Sequence, residues 1–244
     1  NISNSTINCS GGVNYSFDGN GQNITGTGNN SRFLYVDENS CVNISGINLV
    51  NSTSRGGLII TYGSLCICNS SFINNSAIVE DSYADGFIVE GCGGVIINYG
   101  NVTIINCNFT DNTAASSGGV LYNHYDSHAT ITNSYFTSNM AYGDGGVCSN
   151  YGTLNVSNSS FRSNCACVYD DPVDIYAGYG GVFSSYDTLD INSCNFSDNS
   201  AAYCGGSIYN SYGSLIVNNS NIISSHAEDG GAIYNEDVFE IYNS

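Results

Sequence analysis

The chain lacks lysine and tryptophan, and its 244 residues include one proline, one methionine and three basic residues, Arg32, Arg55 and Arg162. Because phosphate neutralisation needs basic side chains, this scarcity argues against a nucleic-acid partner. The formal net charge of −18 also disfavours binding to anionic membranes and acidic polysaccharides. No apolar run is long enough to span a bilayer, so direct membrane insertion is not expected.

Cysteine, in contrast, is plentiful, with 11 residues. Cys66-x-Cys68 and Cys165-x-Cys167 form the only close pairs, and no nearby His completes a zinc site. This usage favours disulfides in an oxidising compartment. Since the number is odd, at least one thiol is expected to be free or to pair between chains.

Asn-x-Ser/Thr sequons recur along the chain and, together with the cysteines, predict an extracellular and N-glycosylated protein. The candidate glycosylation sites are Asn43, Asn69, Asn74, Asn101, Asn108, Asn155, Asn158, Asn195 and Asn218. A chain this rich in Asn, Ser and Thr also produces sequons by chance, so each individual site stays open.

A repeat organises the sequence. A glycine pair, a short apolar run, a Tyr-Gly or Tyr-Asp turn, a second apolar run and a Phe-x-x-Asn step recur about every 25 residues, a period typical of stacked arrays. The clearest copies begin at Gly93, Gly145, Gly180 and Gly205. The apolar runs alternate with period two, as strands do. Three short strands per repeat predict an all-β parallel β-helix of about nine coils.

The recurring residues have structural interpretations in such a solenoid. The glycine pairs supply corner conformations. A row of Tyr residues is predicted to line or seal another corner: Tyr62, Tyr99, Tyr125, Tyr151, Tyr186 and Tyr212. Phe72, Phe109, Phe136, Phe161 and Phe196 are predicted to stack as an interior ladder. Asn75, Asn112, Asn139, Asn164 and Asn199 follow three residues later and are predicted to form a second ladder that satisfies backbone groups.

The expected organisation is one β-helix domain over residues 1–244. Irregular N-terminal coils occupy 1–55, and regular coils with the glycine pair and the Phe-x-x-Asn step occupy 56–244. Loop insertions are expected near 79–91 and 168–179. Both ends are strand-like and uncapped, which predicts either a segment of a longer solenoid or head-to-tail stacking of subunits into a filament.

The repeat resembles that of the chlamydial polymorphic outer-membrane proteins and, more closely, the adhesin-like proteins of methanogenic archaea. The Asp18-Gly19-Asn20-Gly21 opening through Phe33, and Gly231-Ala232-Ile233-Tyr234-Asn235, carry the likeness. The resemblance implies a right-handed single-stranded parallel β-helix displayed at the cell surface. The expected partners of the chain are further copies of itself or flanking solenoid segments. Cell-surface glycans and other cells are further candidates.

The two insertions carry clustered acids, which offer a weak Ca²⁺-binding hypothesis, because carboxylate oxygens are Ca²⁺ ligands. The candidates are Glu80, Asp81, Asp85, Asp170, Asp171 and Asp174. No recognised Ca²⁺-binding loop pattern is present, and solvated surface loops explain the same residues. No other cofactor is expected.

The alternative function is a polysaccharide lyase or glycoside hydrolase on a β-helix scaffold. Hydrolysis needs two facing carboxylates, for which Asp111, Asp187, Asp190 and Asp198 are the available acids. A lyase needs cationic groups to stabilise an enolate, and the chain has few. We therefore expect no enzyme activity and a structural or adhesive role.

The repeat also suggests disulfide partners in adjacent coils: Cys41 with Cys66, and Cys165 or Cys167 with Cys204. Cysteines that share a slot several coils apart, such as Cys107 and Cys194, are too distant to bond.

Overall fold

The computed structural model describes residues 6–27, 31–79, 90–168 and 178–244. Within these residues the strands pair in parallel in three sheets of nine, fifteen and six strands. The chain is a right-handed parallel β-helix of about eight turns, close to the nine coils expected. The described part of the chain holds no helix of the length and apolarity that a membrane crossing requires.

Seven strands of the nine-stranded sheet each follow a glycine pair. The fifteen-stranded sheet has two arms that meet at the long strand Cys41–Val50. The nine strands are Ile7–Cys9, Leu34–Val36, Ile59–Thr61, Ile96–Asn98, Leu121–Asn123, Cys148–Asn150, Phe183–Ser185, Ile208–Asn210 and Ile233–Asn235. One arm comprises Asn14–Thr25, Cys41–Val50, Ser64–Cys68, Asn101–Ile105, His128–Thr132, Thr153–Ser157, Leu189–Asn192, Ser214–Asn218 and Val238–Tyr242. The other comprises Ser71–Ile73, Asn108–Thr110, Tyr135–Thr137, Ser160–Arg162, Asn195–Ser197 and Asn221–Ile223.

A six-stranded sheet adds a two-residue strand to the three expected in each repeat. Its strands are Thr53–Ser54, Ser76–Ala77, Thr113–Ala114, Met140–Ala141, Cys165–Ala166 and Ser200–Ala201. Ala77, Ala114, Ala141 and Ala166 point inward and are fully buried.

The Phe ladder lies inside the helix, where its rings stack coil upon coil. Phe109 and Phe136 have ring centroids 4.9 Å apart with an interplanar angle of 2°. Phe136 and Phe161 are also 4.9 Å apart, and Phe72 and Phe196 continue the stack at either end. This spacing matches the strand separation of about 4.8 Å, so one ring per coil fills the interior.

The Asn ladder is buried beside it, and each amide satisfies groups in the adjacent coils. Nδ2 of Asn139 donates to the carbonyl of Phe109 at 3.0 Å and to Oδ1 of Asn164 at 3.0 Å. Oδ1 of Asn139 accepts from both the backbone N–H and Nδ2 of Asn112. Both donors and the acceptor are therefore used, as buried amides require.

Two further ladders were not anticipated from the sequence. Asn98, Asn123 and Asn150 pass a side-chain hydrogen bond from coil to coil. In a second row each Ser Oγ or Cys Sγ donates to the carbonyl two residues before it, and most of them accept a backbone N–H from the preceding coil. The members of this row are Ser70, Cys107, Ser134, Ser159, Cys194 and Ser220. Because Ser and Cys share this role, no single residue type marks the row in the sequence.

Left-handed backbone at two further corners is supplied by short polar residues. One column contains Asn69, Asn106, Asn133, Asn158, Ser193 and Asn219. The other contains Asn74, Asp111, Ser138, Ser163, Asp198 and Ser224, all with positive φ. Asn and Asp tolerate this region because their side chains bond locally. Much of the Asn and Ser content therefore serves the corners.

The two glycines of each pair have different roles. Gly205 has a φ of 67°, the left-handed region that favours glycine. Gly206 needs no special φ, but an added Cβ would lie far inside van der Waals contact with the carbonyl oxygen of Gly231 in the next coil. The second glycine thus allows adjacent coils to approach at the corner.

We predict that Gly206→Ala lowers the free energy of unfolding by about 1–3 kcal/mol, the usual cost of overpacking. Gly231→Ala is the matched control, because its added Cβ would have its nearest neighbour at 3.7 Å. Urea unfolding of both variants measures the difference. Equal losses in the two variants would mean that close approach is not the reason for the second glycine.

Candidate functional site

An aromatic stripe runs along the corner after the nine-stranded sheet. Tyr62 and Tyr99 stack with centroids 4.6 Å apart at 6°, Tyr99 contacts His124 at 4.6 Å, and Tyr151 stacks on Tyr186 at 4.8 Å. Because the stacked pairs cover each other's faces, they leave mainly edges and hydroxyls to a ligand. These rings seal the corner and are poorly placed to stack on a sugar.

The register of this stripe differs from the expected one at two positions. The backbone N–H of His124 donates to the carbonyl of Asn98, just as the N–H of Tyr99 donates to the carbonyl of Thr61 in the preceding coil. His124 therefore takes the position expected for Tyr125. Ser211 takes the slot expected for Tyr212, which is 83% exposed. In both coils one additional residue precedes the Tyr, which shifts it out of the row.

A carboxylate lies against the stripe on the same side of the solenoid. Asp144, just before the glycine pair at 145, accepts the backbone N–H of Tyr179 at 3.1 Å and the hydroxyl of Tyr186 at 3.0 Å. Burial raises the pKa of Asp144 to about 6, although both hydrogen bonds act in the opposite direction. Asp144 therefore links two successive coils by hydrogen bonds, but burial of its charged form is unfavourable for folding.

This cost predicts a pH-dependent stability. Because the pKa of Asp144 is higher in the folded state than in the unfolded chain, the native state binds more protons between about pH 4 and 6. The free energy of unfolding should therefore fall as pH rises through this window, by at most about 3 kcal/mol from this group. Asp144→Asn should flatten that slope when unfolding is measured from pH 4 to 7. The exposed carboxylate of Asp187 gives the control, Asp187→Asn, which should keep the slope.

Two acids of the enzyme alternative, Asp111 and Asp198, do not form a pair. Asp111 and Asp198 occupy the same corner column with Ser138 and Ser163 between them. This places them three coils apart, about 14 Å at strand spacing, whereas paired glycosidase carboxyls lie within about 10 Å. Asp187 is exposed at a turn, and Asp190 lies on the outer face of the fifteen-stranded sheet, between Asn155 and Ile216.

The Ca²⁺ candidates Glu80, Asp81, Asp85, Asp170, Asp171 and Asp174 lie outside the described residues. Within the ranges that the structure does describe, no group of three or more His, Cys, Asp or Glu side chains could hold a metal ion. The Ca²⁺ hypothesis therefore stays a prediction about the two insertions.

The predicted disulfide partners are wrong. Cys165 bonds Cys167, with Cα atoms 5.6 Å apart, and the other nine cysteines are free, including Cys41, Cys66 and Cys204. Cys41 pairs in register with Ser64, so Cys66 lies two residues further along the neighbouring strand. Cys165 pairs in register with Ser200, whereas Cys204 lies four residues further along and forms a bridge with Tyr179. Aligning the repeats correctly predicted which cysteines lie in adjacent coils. It did not predict which residues of those coils lie opposite each other.

The sequon asparagines lie on the outside of the solenoid. Asn43, Asn69, Asn74, Asn101, Asn108, Asn155, Asn158 and Asn195 are exposed, and Asn218 is half-buried. None of the five buried ladder asparagines is in a sequon, because each is followed two residues later by Ala. The structure thus separates interior from accessible asparagines, and glycan occupancy stays a prediction.

The fold defines the class of protein as a repeat-containing parallel β-helix. Residues 106–124 and 193–211 match the family described as the Chlamydia polymorphic membrane protein (Chlamydia_PMP) repeat. Both segments run from a left-handed corner through the Phe and Asn ladders to the glycine pair. No curated protein and no solved structure matches the chain. The likeness to methanogen adhesin-like proteins stays a prediction.

Proposed function

We propose that this chain is an extracellular, adhesin-like solenoid that serves a structural or adhesive role at the cell surface. The observation that carries the proposal is the match to the Chlamydia polymorphic membrane protein repeat within a β-helix. The matched positions are the ladders and glycine corners, which build the scaffold. The outer faces of the coils are then free to vary and to contact partners.

The acidic and lysine-free composition supports the same role. A net charge of −18 keeps a surface rich in Asn, Ser and Thr soluble and repels anionic polymers. A partner recognised by this surface should be neutral or basic. The hydrolase or lyase alternative has weaker support, since Asp111 and Asp198 lie three coils apart and the chain has only three Arg and no Lys.

Surface display is tested on intact cells of the natural source with an antibody raised against the purified chain. We expect labelling without permeabilisation, and loss of the label after brief protease treatment of whole cells. A cytoplasmic protein of the same cells is the control for leakage. Labelling that requires permeabilisation would contradict the proposal.

Self-association is a second candidate, favoured by the last described coil. Its strand Val238–Tyr242 exposes apolar side chains, with Phe239 39% and Ile241 49% accessible. We infer that a coil of a second copy stacks on this strand. If purified chains stack, electron microscopy should show filaments with a subunit rise of about 40 Å, the length of eight to nine rungs. Monomers at all concentrations would remove the filament hypothesis.

A further inference from the structure

Tyr135 breaks the repeat on the outer face of the fifteen-stranded sheet. Its column contains Ser71, Asn108, Ser160 and Asn195 in the neighbouring coils. A large aromatic side chain in a column of Ser and Asn serves no packing purpose, and the residue is 61% exposed. Tyr135 has no ring partner among the described residues, unlike the rings of the aromatic stripe.

The Tyr135 side chain lines a shallow, open surface pocket of about 390 Å³. Four asparagines complete the lining: Asn106, Asn108, Asn133 and Asn158. Asn106, Asn133 and Asn158 are successive members of one corner column, so their side chains repeat at the coil spacing of about 4.8 Å. The pocket therefore combines one apolar ring with a row of amides.

These amides are available to a ligand. Asn106 Nδ2 makes only a long hydrogen bond, 3.4 Å, to Asn69. The side chains of Asn108, Asn133 and Asn158 have no hydrogen-bond partner in the described part of the chain. Each amide offers two donors and an acceptor, which is the complement of a hydroxyl-rich molecule. The five lining residues carry no charge.

We propose that this pocket binds a pyranose residue of a neutral saccharide, with the sugar ring against the face of Tyr135 and its hydroxyls on the Asn amides. Apolar C–H faces of sugars suit an aromatic face, and the amides fix the orientation. The absence of basic groups in the pocket and the net charge of −18 disfavour acidic sugars.

The saccharide has two possible sources. It is either a glycan of another surface, or a glycan of this chain, because Asn108 and Asn158 are themselves in sequons. The first source deepens the proposed adhesive role and rests on it. The chemistry in the pocket is the same in both cases.

The first experiment uses the full chain made in a host that does not glycosylate asparagine. Methyl β-glucoside and N-acetylglucosamine are the neutral probes, glucuronate is the acidic probe, and saturation-transfer NMR measures binding. Neutral probes should bind with dissociation constants of about the millimolar range, and glucuronate more weakly. Tyr135→Ser installs the residue found at 160 and should weaken binding about tenfold or more, whereas Tyr135→Phe should stay within about threefold. Tyr212→Ser, at another exposed tyrosine, should change nothing.

The second experiment is glycopeptide mass spectrometry of material from the natural source. A glycan on Asn108 or Asn158 with NMR contacts to the Tyr135 ring would assign the pocket to the chain's own sugar. If neither neutral probe binds and no such contact exists, or if Tyr135→Ser binds like the unchanged chain, the saccharide site is wrong. Surface labelling of cells does not depend on this result, so the two proposals fail separately.

Discussion

Replacing Asn139 by Ala is expected to lower the free energy of unfolding by about 4 kcal/mol. The substitution leaves two donors of Asn112, its backbone N–H and one Nδ2–H, without the acceptor they now share. It also removes a donor from the carbonyl of Phe109. Each buried donor left unsatisfied costs about 1–3 kcal/mol, and Asn139 is fully buried, so water cannot replace the lost groups.

Asn155→Ala is the matched control, since Asn155 is an exposed residue of the next coil. Its effect should stay within about 0.5 kcal/mol, as for most surface substitutions. Urea unfolding gives the global change, and amide hydrogen exchange shows where it acts. Exchange should rise first in the coils that contain Asn112 and Asn164. Equal losses for the two variants would show that the Asn ladder contributes no more than a surface residue.

The repeat allowed the buried Phe and Asn ladders of the interior to be predicted from the sequence. Phe109, Phe136 and Phe161 recur at one position of the period, so in a stacked array they must lie above one another. The parallel β-helix follows from the same period and from the two-residue alternation of the apolar runs. The coil was predictable because each repeat is one structural unit and the units are nearly identical.

What could not be predicted depends on register or on single residues. The Cys165–Cys167 disulfide joins residues within one coil, whereas alignment of repeats predicts disulfides between adjacent coils. His124 replaces a Tyr because one inserted residue shifts the corner. Asp144 is a lone acid whose importance comes from Tyr179 and Tyr186 in the following coil. Tyr135 differs from its neighbours only when the strands are paired in register, because Ser or Asn occupies the same position in the adjacent coils.

The two-residue strands were missed for a different reason. Segments such as Met140–Ala141 are too short to show alternation, which needs at least four residues to be recognised. Their pairing is imposed by the corners on either side. Ser138, in a left-handed column, sets the corner before Met140–Ala141, and Gly145 sets the corner after it. The sequence shows the left-handed columns only as a general richness in polar residues.

Phe136→Ala is expected to cost about 3–5 kcal/mol, the range for removing a fully buried aromatic side chain. Phe136 is fully buried, and its ring is stacked between Phe109 and Phe161 at 4.9 Å on both sides. Ala would leave a cavity that the coils cannot close, because backbone hydrogen bonds hold their spacing. Phe136→Leu should cost less, since Leu49 occupies the equivalent interior position beside Phe72.

Tyr135 provides the control for this prediction, because consecutive residues of a strand point to opposite sides. Tyr135→Ala removes an aromatic ring of similar size from the same strand, and we expect a change within about 0.5 kcal/mol. In a stacked array each coil contacts only its neighbours, so the loss at Phe136 should weaken the interfaces on both sides of its coil. Hydrogen exchange should therefore accelerate in the coils of Phe109 and Phe161 and remain slow near Phe196. Comparable losses for Phe136→Ala and Tyr135→Ala would mean that the interior stack is not what holds the coils together.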